Sequence, residues 1–182
     1  MALKTAKWTL DDYHRMIEAG ILDGRPVELL NGEIIEMSPE GEPHASASAE
    51  AGEYLMRLLG ERAQVRQAKP ITLPNVRSEP EPDLAIVERL GRQYRRHHPY
   101  PENIFWVVEY ANTSLNKDLD EKKQLYALAG IQEYWVVNLQ DETVIVFRHP
   151  ANGTYQFEQT LNQGDITPLS FPDLTVAVGQ LL

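Results

Sequence analysis

The stretch from Ile104 to Leu139 constrains the fold more than any other part of the chain. Ile104-Phe105-Trp106-Val107-Val108 is an unbroken apolar run, the composition of a strand buried on both faces. Asn116 to Ala129 then has helical spacing, with Gly130 as its stop, and Glu133 to Leu139 is a second apolar strand. A strand, a helix and a strand in this order make one crossover unit, which lays the two strands beside each other in a sheet. Glu109 follows the first run directly and is expected to end that strand, where it emerges toward solvent.

The elements around this unit are mixed. Thr9 to Ala19 reads as a short helix, capped by Thr9 with Asp12 and closed by Gly20. Val27–Leu30 and Glu33–Met37 flank Asn31-Gly32, the dipeptide that a type I′ hairpin turn favours. Ser38 to Pro43 is a loop, and Pro43 suits the first turn of a helix that runs to about Leu59, before Gly60. Gln64 to Leu73 is strand-like. Pro82 opens a strand from Asp83 to Val87, and the polar segment 88–103 is a long loop. Thr143–Arg148 and Thr154–Thr160 form a hairpin joined at Pro150-Ala151-Asn152-Gly153. The expected class is α/β: a central mixed β-sheet flanked by helices, with an N-terminal helix and β-hairpin. A chain of 182 residues suits a single domain over 1–182.

Composition narrows the chemistry. Cysteine is absent, which excludes disulfides, zinc-thiolate sites and cysteine nucleophiles. No apolar run approaches membrane-spanning length, and residues 1–10 carry no apolar signal segment, so a cytoplasmic location is expected. The formal net charge is -10. An evenly acidic surface repels nucleic acid, whose binding depends on phosphate neutralisation. A nucleic-acid enzyme of this charge must therefore gather its cations locally. Arg89, Arg92, Arg95 and Arg96, followed by His97 and His98, are the one dense basic cluster and are candidates for phosphate contact.

Three positions break the pattern of an ordinary core. Asp83 stands at the mouth of an apolar strand; taken alone, it reads equally as a strand-end residue bonding its own backbone. Glu109 sits on the shoulder of the most hydrophobic strand, where a carboxylate is costly to desolvate unless paired or metal-bound. Lys122 is the third. At roughly 100° per residue, with Leu119 at zero, Tyr126 falls near -20°, Ala129 near -80° and Leu125 near -120°. Lys122 falls near -60°, about the middle of this apolar stripe, by the same geometry. Asp118 also lies inside the stripe, whereas Lys123 sits at its edge and Lys117 on the far side. Lys122 can snorkel past Tyr126 to water, pair with Asp118, or point at the carboxylates of the preceding strand. Two carboxylates at the ends of adjacent strands suit Mg²⁺, and a nearby ammonium suits a phosphoryl transition state.

Glu81-Pro82-Asp83 followed by Val107-Val108-Glu109 resembles the PD-(D/E)xK nuclease superfamily. More closely, the chain resembles the family called Uma-two, classed with restriction endonucleases. The matching segments are Val27-Glu28-Leu29-Leu30-Asn31-Gly32-Glu33, Glu36-Met37-Ser38-Pro39, His44, Pro82-Asp83, Val108-Glu109, Asp118-Leu119-Asp120-Glu121-Lys122, Tyr126 and Gly130-Ile131-Gln132-Glu133-Tyr134-Trp135-Val136-Val137. The resemblance implies a restriction-endonuclease-like fold. It implies Asp83 and Glu109 as metal ligands for Mg²⁺ or Mn²⁺, with the superfamily lysine displaced from the strand to Lys122 on the following helix. Ala111 stands where the wider superfamily keeps that lysine, and Asn112-Thr113-Ser114 replaces the usual Ser-Pro-Ser-type segment. An early-helix glutamate of the superfamily corresponds to Glu50 or Glu53. His44 fits a family position and reads equally as a capping or packing histidine.

The resulting expectation is a Mg²⁺-dependent endonuclease acting on DNA as a homodimer or higher homo-oligomer. The alternative is a catalytically inactive binding or regulatory module on the nuclease fold. RNA or branched DNA is a further substrate option that the residues do not separate.

Overall fold

A computed structural model describes residues 5–111 and 117–182, and of 117–120 the backbone alone. Helix α1 spans Leu10–Glu18. Thr9 caps it through a reciprocal pair of bonds with Asp12, so the orphan amide at its start is satisfied as the sequence predicts. Strands β1 (Val27–Leu30) and β2 (Glu33–Glu36) form the expected hairpin, and Asn31 and Gly32 both take positive φ. Helix α2 spans Glu42–Leu59, with Pro43 in its first turn.

Six strands form the central sheet in the order β3-β4-β5-β6-β7-β8. They are β3 (Gln64–Gln67), β4 (Leu84–Val87), β5 (Ile104–Ala111), β6 (Glu133–Asn138), β7 (Thr143–Ala151) and β8 (Thr154–Leu161). β5 and β6 pair in parallel, joined by helix α3 (Lys117–Ala129); every other neighbouring pair is antiparallel. The strand-helix-strand unit therefore forms the centre of the sheet. A short ribbon, β9 (Asp165–Ile166) with β10 (Val176–Ala177), completes the strands. Among the described residues no helix is long and apolar enough to cross a membrane.

Alternation along the strands divides the core in two. Leu84, Ile86, Trp106, Val108, Trp135 and Val137 pack on one face with α2 and the C-terminal residues Val176, Val178 and Leu181. Ala85, Val87, Val107, Tyr134 and Val136 pack on the other with Leu125, Tyr126 and Ala129 of α3. Both faces are covered, which explains why β5 and β6 read as continuous apolar runs.

Several boundaries differ from expectation. β5 does not end at Glu109; it continues to Ala111, and Glu109 is buried within it. Pairing with β6 extends to Ala111↔Asn138, so the parallel neighbour carries the strand past the carboxylate. The predicted strand Gln64–Leu73 stops at Gln67, because Ala68 takes a positive φ and turns the chain. Asp83 lies just before β4 rather than in it. The β7–β8 hairpin is longer than predicted, and its turn is Asn152-Gly153, both at positive φ. Segment 88–103 holds two short 3₁₀ helices, Gly91–Arg95 and Pro101–Asn103.

One buried charge locks the far side of the sheet. Glu133 is fully buried, and its Oε1 accepts from Arg148 at 2.8 Å and from the Trp135 indole at 2.9 Å. Its Oε2 accepts from the Leu169 amide at 2.7 Å. Removing the guanidinium leaves this carboxylate dry and without its counter-charge. Arg148→Ala is expected to cost about 3–5 kcal/mol, read as a lower denaturant midpoint in urea unfolding.

Candidate active site

The site forms at one end of β4 and β5. Leu84 pairs with Val108, so the antiparallel register carried one residue further sets Asp83 opposite Glu109. The Tyr110 amide donates to Asp83 Oδ2 at 2.6 Å, which ties the aspartate to the neighbouring strand. Strand parity turns Glu109 to the α3 face, the same face as Val107.

From that face α3 supplies two donors. Lys122 Nζ donates to Glu109 Oε1 at 3.0 Å, and the Tyr126 hydroxyl donates to the same oxygen at 2.6 Å. Of the three roles open to Lys122 in the sequence, the structure takes the one directed at the carboxylates. Lys123 instead turns outward to Glu158 at 3.0 Å and rests over the Phe147 ring. The side chain of Asp118, and the segment Asn112-Thr113-Ser114, lie outside the described residues.

Burial raises the Glu109 carboxyl to about 7, with Asp83 and Glu28 adding to the rise while Lys122 and Tyr126 oppose it. Burial alone would lower the Lys122 ammonium. The carboxylates of Glu109, Glu28 and Asp83 outweigh it and hold the lysine above its ordinary value. Lys122 is therefore the cation of the pair, and Glu109 is a carboxyl poised to exchange its proton near neutrality.

Glu28 is the residue that sequence reasoning did not single out. It is buried on β1, with Oε1 3.9 Å from Lys122 Nζ and Oε2 accepting from the Glu81 amide at 3.2 Å. It thereby links the lysine to the loop that precedes Asp83. The sequence offers only that Glu28 is the one charged residue in Val27–Leu30; it is the structure that buries it together with Val27 and Leu29.

From the opposite face, the start of α2 brings His44 to Asp83. Its Nε2 lies 3.2 Å from Asp83 Oδ2, and its Nδ1 lies 3.5 Å from Glu40 Oε2. The Asp83 hydrogen bond raises the imidazole pKa, against the effect of burial. Glu40, His44 and Asp83 each offer a ligand atom, all within 4.8 Å of one another. His44 Nδ1 is buried and has no hydrogen-bond partner. An orphaned imidazole nitrogen between two carboxylates is a donor set that fits a divalent cation. Asp83 thus stands between two groups, Glu109 with Lys122 on the α3 side and His44 with Glu40 on the α2 side.

Other predicted members lie elsewhere. Glu50 bonds Ser46 and Glu53 pairs with Arg57; both are exposed and line a small hollow with Gly179 and Gln180. They follow His44 on α2 by six and nine residues, roughly 240° and 180° around the helix, which turns them away from Asp83. The arginine segment follows β4, whereas Asp83 precedes it, so strand direction carries the two to opposite ends. Arg89 is paired with Glu61 at 2.9 Å. Among the described residues Arg92, Arg95 and Arg96 form no ion pair with a carboxylate. Arg95 and Arg96 border a cleft against α1, together with His14, Tyr94 and His97.

The comparisons with known proteins agree with this architecture. The chain is similar to a crystal structure from Anabaena variabilis described as a putative nuclease belonging to DUF820, with a TM-score of 0.73 and 18% identity over 95% of this chain and 96% of that one. At that identity the likeness speaks for the fold, which here is the mixed sheet flanked by helices. The curated proteins gave no match. A family model described as "Putative restriction endonuclease" matches residues 10–179, nearly the whole chain, and so the protein belongs to the Uma2 family.

Proposed function

We propose that this protein is a divalent-metal-dependent endonuclease that hydrolyses phosphodiester bonds of DNA. The observation that carries the reading is the seat of Lys122: a lysine in the apolar stripe of α3 donates to a buried glutamate that faces Asp83 across two strands. Membership of the Uma2 family supports a nuclease role. When bound by Asp83 and Glu109, with His44 and Glu40 in reach, Mg²⁺ or Mn²⁺ supplies Lewis-acid polarisation of a phosphoryl oxygen and acidifies water.

The chain's own groups do the rest. The Tyr110 amide fixes the Asp83 carboxylate, and Tyr126 fixes that of Glu109. Without a cation, burial raises Glu109 to about 7, so below that pH a proton competes with the cation for this carboxylate. Lys122, held charged by its neighbours, offers its remaining ammonium protons to a phosphate oxygen as negative charge develops. Arg92, Arg95 and Arg96, which form no ion pair among the described residues, would contact phosphates further along a bound duplex and concentrate positive charge on an acidic protein. Cutting both strands requires two such sites, which a closed homodimer supplies.

Two measurements test the reading. Supercoiled plasmid with Mg²⁺ or Mn²⁺ should be nicked by the wild-type protein, and Glu109→Ala should abolish the activity. Lys122→Ala should lower the rate by about 10²–10³-fold. Equal cutting by wild type and Glu109→Ala would sink the assignment, and tight nucleic-acid binding without cutting would favour the binding-module reading.

The second measurement is stability against pH with metal chelated. A carboxyl raised in the folded state from 4.5 to about 7 stabilises the fold fully below its unfolded value. That contribution falls as pH rises through 7. The wild type should therefore lose on the order of 3 kcal/mol across this window relative to Glu109→Gln, read from urea unfolding at each pH.

A further inference from the structure

We propose that the cation of this site is ligated by His44 and Glu40 together with Asp83, and that this nitrogen-and-oxygen donor set makes it a Mn²⁺ site rather than a Mg²⁺ site. The inference deepens the nuclease reading and rests on it for the identity of the site. It departs from a centre made of Asp83 and Glu109 alone.

Three observations carry it. The first is the commitment of Glu109. Its Oε1 accepts from both Lys122 at 3.0 Å and Tyr126 at 2.6 Å, which leaves Oε2 as its one oxygen outside those bonds, so Asp83 and Glu109 alone offer a cation a sparse shell. The second is the state of Asp83. The hydrogen bond from Tyr110 uses Oδ2, and the bonds among the described residues leave Oδ1 out, so the aspartate is fixed by one oxygen and presents the other. The third is His44. Its Nδ1 is buried without a hydrogen-bond partner, although Glu40 Oε2 stands 3.5 Å away. A neutral imidazole with an unmatched buried nitrogen forfeits a hydrogen bond that a metal would replace.

The geometry of the chain explains how these groups meet. Glu40 lies in the loop before α2, and His44 lies in the first turn of that helix, four residues on. The Glu40 side chain is 47% exposed and free to turn, while that of His44 is 15% exposed and held edge-on to the Tyr110 ring. One packed imidazole, one carboxylate tied through a single oxygen and one exposed carboxylate form an incomplete shell, with ligand atoms within 4.8 Å of one another. Mg²⁺ prefers oxygen ligands and retains its water reluctantly displaced, whereas imidazole suits first-row transition ions. Mn²⁺ tolerates an imidazole donor beside carboxylates better than Mg²⁺ does, so of these two ions the set favours Mn²⁺.

The test uses the full chain stripped of metal with EDTA, and the probes are MnCl₂ and MgCl₂ alone. Free Mn²⁺ is followed by its room-temperature paramagnetic resonance signal, and Mg²⁺ by calorimetry. Wild type should bind Mn²⁺ about tenfold or more tightly than Mg²⁺. Pulsed resonance of the bound Mn²⁺ should show coupling to a nitrogen nucleus. His44→Ala should remove that coupling and weaken Mn²⁺ binding by about 10–100-fold while leaving Mg²⁺ binding nearly unchanged. Glu40→Gln should weaken Mn²⁺ binding and retain the nitrogen coupling. His44→Gln serves as a second variant, and circular dichroism verifies that each is folded.

Absence of Mn²⁺ binding, bound Mn²⁺ without nitrogen coupling, or an unchanged affinity in a folded His44 variant would each overturn the proposal. Its failure is distinguishable from that of the nuclease reading. Nitrogen-coupled Mn²⁺ on a protein that cuts no DNA leaves the metal site standing and removes the activity. Plasmid cutting by a protein whose bound Mn²⁺ shows no nitrogen coupling does the reverse.

Discussion

The buried contact between Glu109 and Lys122 is the constraint around which one end of the sheet is organised. A glutamate buried within a central strand has little access to bulk water, so it must be neutralised by a proton or matched by a cation. The chain does both in part. Burial lifts the carboxyl to about 7, and α3 delivers an ammonium and a phenol to the same oxygen. This arrangement fixes the rotation of α3 about its axis, because Lys122 and Tyr126 reach Glu109 only when their face of the helix lies on the sheet. Leu125 and Ala129 are buried by the same rotation. Packing and chemistry thus demand one orientation.

The second organising feature is the position of Asp83 at the end of the sheet. Strand interiors are covered on both faces, whereas a residue just before β4 is reachable from either side. His44 approaches from the α2 face and the Glu109–Lys122 pair from the α3 face. Both helices serve one aspartate because the sheet that separates them ends there. The β1–β2 hairpin adds Glu28, whose carboxylate spans from Lys122 to the backbone ahead of Asp83. Five separate parts of the chain therefore converge on a small volume.

Legibility in the sequence followed the physics of each signal. The helix caps, the Asn-Gly turn and the central strand-helix-strand unit rest on local backbone preferences and periodicity, and they were readable. Lys122 was singled out because periodicity placed a charge where only apolar residues belong. Glu28 was overlooked because a single glutamate in a four-residue strand carries no comparable contradiction until its neighbours are known to be buried. Glu109 was read as the end of β5, because an isolated carboxylate normally marks solvent; the pairing with β6 that carries the strand onward is a non-local contact. Glu50 and Glu53 were candidates by order along the chain, and the phase of α2 turns them away. The arginine segment lies between Asp83 and Glu109 in sequence, yet it sits at the other end of the strands.

What the sequence by itself determined is the main helices and strands, the α/β class, and the conflict between charge and burial at Lys122. These follow from propensities and spacing within about twenty residues, a range over which backbone geometry is nearly independent of the rest of the fold. What only the tertiary structure decided is which conflicts resolve one another. That Lys122 turns to Glu109, that His44 and Glu40 meet Asp83, and that Glu28 joins them depends on the register of β4 against β5 and on two helices packed on opposite faces. Contacts between residues so far apart in the chain are selected by packing, and no local pattern encodes them.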